Sequence, residues 1–316
     1  MFVIVGYHCV CYYGIWDEFF PDAYSYEHIE SFRFVCVLAL QLFTFISGYL
    51  YARGCHRGLR EVVRTKSMRL LVPYCFWSLV VASLFSFERS WSNFWGGMSH
   101  LWFLLMLFMC FMFVAITNVH HWRLRYVVIF VIALSALNWA NSKYAIVTTN
   151  YLTFQYVTKY LPYFLAGSIV NKFEIPDKLQ RMRPAYVGLL FIVVIMVLLL
   201  YHLRGGFPFS TVYMWVIVVL FFCCLYKWAG ELVRITPPTL LASLDKSSMG
   251  IYLIHHVLIF IFLMYVPEAE DLMDSHPYTL PFILFVCVFS LSFALALLLN
   301  RFKYTSFLIG SIPKSK

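Results

Sequence analysis

Apolar residues run along this chain in long unbroken stretches separated by short polar intervals. Ten stretches stand out, approximately Met1–Gly14, Phe34–Tyr51, Leu70–Phe87, Leu101–Asn118, Tyr126–Ala140, Leu152–Val170, Tyr186–Tyr201, Ser210–Tyr226, Met249–Val266 and Leu280–Leu299. Most approach the roughly 20 residues that a helix needs to cross a bilayer core. They are apolar all round, not alternating, which excludes the strands of an outer-membrane barrel and predicts α-helices. Trp16, Trp91, Trp95, Trp122, Trp139 and Trp228 sit near stretch ends, as interfacial anchors do. The chain shows no internal repeat, no low-complexity tract and no loop large enough for a soluble domain. The pattern predicts an all-α, polytopic membrane bundle of about ten transmembrane helices, one integral-membrane domain over residues 1–316. The first stretch, MFVIVGYHCVCYYG, is short for a span and has neither the basic start nor the cleavage site of a signal peptide. It is expected to be the second half of a first helix whose N-terminal part is missing.

Composition sharpens this picture. The 316 residues are 62% hydrophobic, 20% aromatic and only 12% charged, against about 25% charged in soluble domains; the mean hydropathy is +0.78. A soluble globular domain, a disordered chain and a collagen-like fibre are excluded. The net charge of +9 changes meaning once it is placed on the ten-stretch map. The loops after stretches two, four, six and eight, with the C-terminal tail, hold 19 of the 24 basic residues and 5 of the 15 acids. The positive-inside rule puts that face, and both termini, in the cytoplasm. The basic excess then faces anionic lipid, so the expected partner is the bilayer of the cell membrane and not nucleic acid. The nine Cys residues form no CxxC pair, so neither a metal site nor a disulfide framework is expected.

Ionisable and polar groups inside the stretches are the candidates for chemistry, because hydrocarbon makes them costly. No Asp or Glu lies deep in any stretch, which counts against a proton- or sodium-coupled transporter. His8 lies near mid-membrane in the first stretch, and imidazole is a competent general base near neutral pH. Gln41, Thr44, Ser47 and Gly48 share one face of the second helix; helix packing and a substrate lining both fit. Arg69 abuts the third stretch beside Pro73, with the run from Arg57 to Lys66 before it, placed to clamp a phosphate at the cytoplasmic surface. His100 and Trp102 open the fourth stretch at the outer interface, and Lys159 in the sixth is expected to snorkel outward. In the ninth, Ser248, Tyr252 and His255 fall on one face while His256 points elsewhere. That face fits a polar cavity or an interhelical hydrogen-bond network.

MFVIVGYHC with His8, LQLFTFISGYLY (40–51), RLLVPYCFW (69–77), HLWFL (100–104), YLPYFLAG (160–167) and SMGIYLIHH (248–256) together resemble the acyltransferase-3 family of integral-membrane acyltransferases. The likeness spans nearly the whole chain. It implies an acyl-CoA donor on the cytoplasmic side, usually acetyl-CoA, and a hydroxyl of a cell-surface or lipid-linked carbohydrate as acceptor. It implies that His8 is the catalytic base, with an acyl-His intermediate as a variant. Arg69, Ser47 and Gly48 would bind the donor. Tyr252, His255 and Ser248 would line the cavity or stabilise an oxyanion, and His100 and Trp102 would lie on the acceptor side. The family usually carries an Arg about ten residues before the first-helix His, on a stretch absent here. The alternative reading is a polysaccharide or lipid-linked sugar exporter without acyl transfer.

Overall fold

The structure is a computed structural model that describes residues 1–15, 29–54, 58–85, 91–144, 151–174, 178, 181, 183–203, 210–276 and 278–311. The anchor Trp16, Arg57 of the basic run, and Asp177, Lys314 and Lys316 among the loop and tail charges counted above lie outside the described residues. Among the described residues every regular element is a helix, and each of the ten apolar stretches lies on one. The helices are α1 (Phe2–Ile15), α2 (Ile29–Arg53), α3 (Leu59–Lys66), α4 (Val72–Leu84), α5 (Trp91–Gly96), α6 (Trp102–Thr117), α7 (Leu124–Tyr144), α8 (Phe154–Lys172), α9 (Pro184–Leu203), α10 (Ser210–Ile235), α11 (Pro238–Tyr265), α12 (Ala269–Ser275) and α13 (Thr279–Arg301). Among the described residues six helical runs are long and apolar enough to cross a membrane: Cys36–Arg53, Leu59–Leu84, Trp91–Thr117, Leu124–Asn141, Pro238–Tyr265 and Thr279–Arg301. The chain is an all-α, multi-pass membrane protein.

Two helices begin earlier than the apolar pattern shows. α11 starts at Pro238, eleven residues before Met249, because Pro at the first turn gives up no helical hydrogen bond. The third apolar stretch is preceded by α3, an amphipathic helix that buries Val62, and by a π-helical turn, Ser67–Leu71.

Residues 1–39, 68–88 and 238–316 form one compact unit, and residues 40–67 and 89–237 a second. In the first unit α1, α4, α11 and α13 pack together. Gly250 of α11 lies so close to α13 that a Cβ there would come within 2.6 Å of Ala296 Cβ. One turn along, Asn300 donates to the Lys246 carbonyl across the same contact at 3.2 Å. α1 is held by aromatic contact: Phe2 stacks on Phe289 at 4.4 Å, and Gly6 faces Phe285.

In the second unit α2 and α8 meet backbone to backbone. Gly48 sits on the Phe164 carbonyl and Gly167 on the Phe45 carbonyl, with no room at either for a Cβ; Ser168 donates to the Gly48 carbonyl at 3.1 Å. Small residues permit this approach, and dispersion and hydrogen bonding hold helices together where lipid removes the hydrophobic drive. The contact between α7 and α8 follows from Pro162. Proline has no N–H, so the Thr158 carbonyl four residues earlier loses its helical donor. Asn138 of α7 supplies one, its Nδ2 donating to that carbonyl at 2.7 Å while Thr158 Oγ1 donates back to Asn138 Oδ1 at 2.9 Å. Replacing Asn138 by Leu strands the Thr158 carbonyl, while the Thr158 hydroxyl keeps the Gln155 carbonyl at 3.0 Å. The expected cost is about 1–2 kcal/mol, read as a lower unfolding temperature of the detergent-solubilised protein; an unchanged midpoint would contradict this account of the α7–α8 contact.

Candidate active site

The polar interior of the first unit centres on two imidazoles. His8 is carried by α1, one side of which is buried through Ile4, Val5 and Cys9. His255 is carried by α11 and is fully buried, at 0% exposure. His8 Nδ1 lies 2.9 Å from His255 Nε2, a hydrogen bond between residues 247 positions apart. The other His255 nitrogen, Nδ1, lies 3.0 Å from the Ile251 carbonyl oxygen one turn back on its own helix. Tyr252 is buried on the same helix, its ring 6.0 Å from that of His255. Ser248 is on the same face, but its hydroxyl donates to the Asp245 carbonyl at 2.9 Å.

His256 corrects the expectation that it points away. Its ring stands edge-on to His8 at 5.1 Å and packs on Phe260 at 4.8 Å, and Phe260 in turn meets Phe85 at 4.9 Å. A residue 100° round a helix still reaches a side chain lying across the helix face, and His8 lies so that it touches both. Residue spacing on α11 alone gives no sign of this, because it depends on where α1 packs. Sequence reasoning also passed over Ser78, Ser247 and Ser292. All three are buried, and their hydroxyls find no hydrogen-bond partner among the described residues.

Arg69 belongs to the same unit. It lies on the π-helical turn and is exposed. The turn has a local cause. Pro73 lacks the N–H that the Arg69 carbonyl would accept in an α-helix, and its ring crowds that carbonyl; the wider π turn relieves both. π turns of this kind recur at functional positions. The freed backbone is covered by the C-terminal segment. Trp77 donates through Nε1 to the carbonyl of Leu308 at 3.0 Å, within the 3₁₀ turn formed by Ser306–Ile309. Gly310, at φ +71°, lies directly against the Arg69 carbonyl.

The remaining candidates belong to the second unit. Ser47 donates its hydroxyl to the Phe43 carbonyl at 2.9 Å, and Gly48 is the packing glycine against α8. Lys66 of the basic run lies over the Phe111 ring, 3.6 Å from its centroid, whereas Arg60 and Arg64 are exposed. His100 is buried in the 3₁₀ turn Ser99–Leu101 that leads into α6. Trp102 stacks on Tyr156 at 4.1 Å, so that face of its indole is covered. Among the described residues no group of three or more His, Cys, Asp or Glu side chains is placed to hold a metal ion.

Fold and site together define a class: a multi-pass helical membrane protein with a paired imidazole site in a helix cluster, His255 fully buried and His8 half-buried. A family model described as an acyltransferase domain matches residues 1–301, and the chain belongs to that family, the acyltransferase-3 family. It is a membrane acyltransferase. Comparison with curated proteins and with solved structures gives no match.

The C-terminal clasp yields a direct test. An alanine at position 310 would need left-handed backbone and would place its Cβ 2.7 Å from the Arg69 carbonyl oxygen. Gly310→Ala is expected to cost about 1–3 kcal/mol, read as a lower unfolding temperature in detergent. Gly188→Ala, where the Cβ would meet open space, is expected to be neutral or stabilising, since helical Gly costs about 1 kcal/mol against Ala.

Proposed function

We propose that this chain moves an acetyl or other acyl group from acyl-CoA to a hydroxyl of a cell-surface or lipid-linked carbohydrate, at the cell membrane, with His8 as general base. The observation that carries the reading is the hydrogen-bonded pair of His8 and His255 inside the bundle of a chain that belongs to an acyltransferase family. An imidazole partnered by a second imidazole is suited to move a proton locally.

The acceptor hydroxyl attacks the thioester carbonyl carbon while His8 takes its proton. The tetrahedral intermediate collapses, the C–S bond breaks, and the proton passes from His8 to the departing CoA thiolate. The products are an ester and CoA thiol. A positioned base is worth about 10²–10⁴ in rate. Arg69, exposed at the expected cytoplasmic mouth, suits the CoA phosphates. Tyr252, on the face of α11 that carries His255, is the buried hydroxyl best suited to an oxyanion. Ser47, Ser248 and Gly48 each have a structural partner, so in this reading they shape the helices more than they touch the donor. His100 and Trp102 stay assigned to the acceptor side.

The test is NMR of the surface glycan from wild type, a gene deletion and His8→Ala at equal membrane abundance. Polymer that persists while its acyl signals fall in both mutants, by 10²-fold or more in the His8→Ala transfer rate, is the expected result. Loss of polymer in the deletion, with His8→Ala leaving it abundant and fully acylated, would sink the reading in favour of an exporter.

A further inference from the structure

A general base must present a lone pair, and His8 has two nitrogens from which to present it. A neutral imidazole carries one proton and one lone pair, and its partners decide which nitrogen holds which. The Ile251 carbonyl can only accept. His255 Nδ1, 3.0 Å from it, therefore bears the His255 proton, and His255 Nε2 bears the lone pair. That lone pair faces His8 Nδ1 at 2.9 Å, so His8 Nδ1 donates.

We propose that His255 is a positioning residue that fixes the tautomer of His8: the chain of hydrogen bonds from His8 Nδ1 to His255 Nε2, and from His255 Nδ1 to the Ile251 carbonyl, leaves the His8 lone pair on Nε2. The proposal rests on His8 being the base. Imidazole in water favours the opposite tautomer, with its proton on Nε2, so the pair reverses a solution preference. The reacting hydroxyl then approaches the ring edge turned away from His255. When His8 takes the proton, positive charge spreads to its Nδ1–H, and the His255 lone pair is already aimed at it. A carboxylate behind a catalytic histidine has this role in hydrolase triads; here an uncharged ring performs it, without placing an anion in hydrocarbon. With both nitrogens engaged, His255 has no proton to offer an oxyanion, which separates its role from the one expected from sequence. The edge-on contact of His256 with His8 at 5.1 Å limits ring rotation from a second side.

The test uses the full chain with ¹³C,¹⁵N-labelled histidine in lipid vesicles. Solid-state NMR reports the tautomer of His8, assigned by difference from His8→Ala. Wild type is expected to show His8 protonated on Nδ1. His255→Phe is expected to return that proton to Nε2. The same change should lower CoA-thiol release from acetyl-CoA, measured in source-cell membrane vesicles, by about 10- to 100-fold in kcat with KM for acetyl-CoA unmoved. His255→Gln, whose amide oxygen accepts a hydrogen bond, is expected to recover most of the rate and the Nδ1–H form. Wild-type His8 with its proton on Nε2 would overturn the proposal, as would a rate loss in His255→Phe that neither changes the tautomer nor responds to Gln. Acyl transfer that survives His8→Ala would remove the base reading instead, and the wild-type spectrum would still decide the tautomer.

Discussion

Inside a bilayer core a polar group has no water to turn to, so each must find its partner within the protein. This constraint organises both compact units. Where Pro162 removes a helical donor, Asn138 reaches across from α7 to replace it. Where Thr44, Ser47 and Ser135 would expose hydroxyls, each donates to the carbonyl one turn back. Asn300 joins α13 to α11 through the Lys246 carbonyl and also accepts from Ser311 at 2.7 Å. The His8–His255 pair obeys the same rule. Its difference is chemical: the ring nitrogens that meet the constraint are also groups able to exchange protons near neutral pH.

Backbone proximity is the second organising element. Gly48 and Gly167 let α2 and α8 touch at the main chain, and Gly310 lets the C-terminal segment lie on the Arg69 carbonyl. Both contacts stand next to residues for which the family resemblance implies a donor-binding role. For Ser47 and Gly48 the local geometry accounts for the residue types through packing. For Arg69 it accounts for the backbone and leaves the exposed guanidinium for other work. A motif residue can thus be required for the shape of a site without touching what binds there.

The helical character, the membrane setting and most helix positions were legible in the sequence, because unbroken apolar runs admit one solution in lipid. The grouping of Tyr252 with His255 was legible too, since a spacing of three residues on a helix fixes a shared face. Pairings between distant segments were not. Nothing local to His8 points to His255, and helix periodicity misdirected the reading of His256. The π turn at Arg69 had a visible cause in Pro73, but whether a proline kinks, caps or widens a helix depends on its surroundings, here Trp77 and Gly310. The early starts of α3 and α11 were missed because charged residues interrupt the apolar pattern, Arg60, Glu61 and Arg64 in α3 and Asp245 and Lys246 in α11. Asn138 was missed because it lies near the end of a stretch, where an amide looks like a loop residue until the orphaned carbonyl opposite is known.

The 247 positions between His8 and His255 also have a meaning in time. A chain made at roughly 5–20 residues per second exposes the first histidine on the order of 10–50 s before the second is synthesised. Throughout that interval α1 carries a polar ring without the partner it has in the finished protein, and α13, which grips α1 through Phe285 and Phe289, is made later still. The site is thus among the last features of the molecule to assemble, and a nascent chain halted before α11 would display an unclosed helix to the quality-control machinery of the membrane.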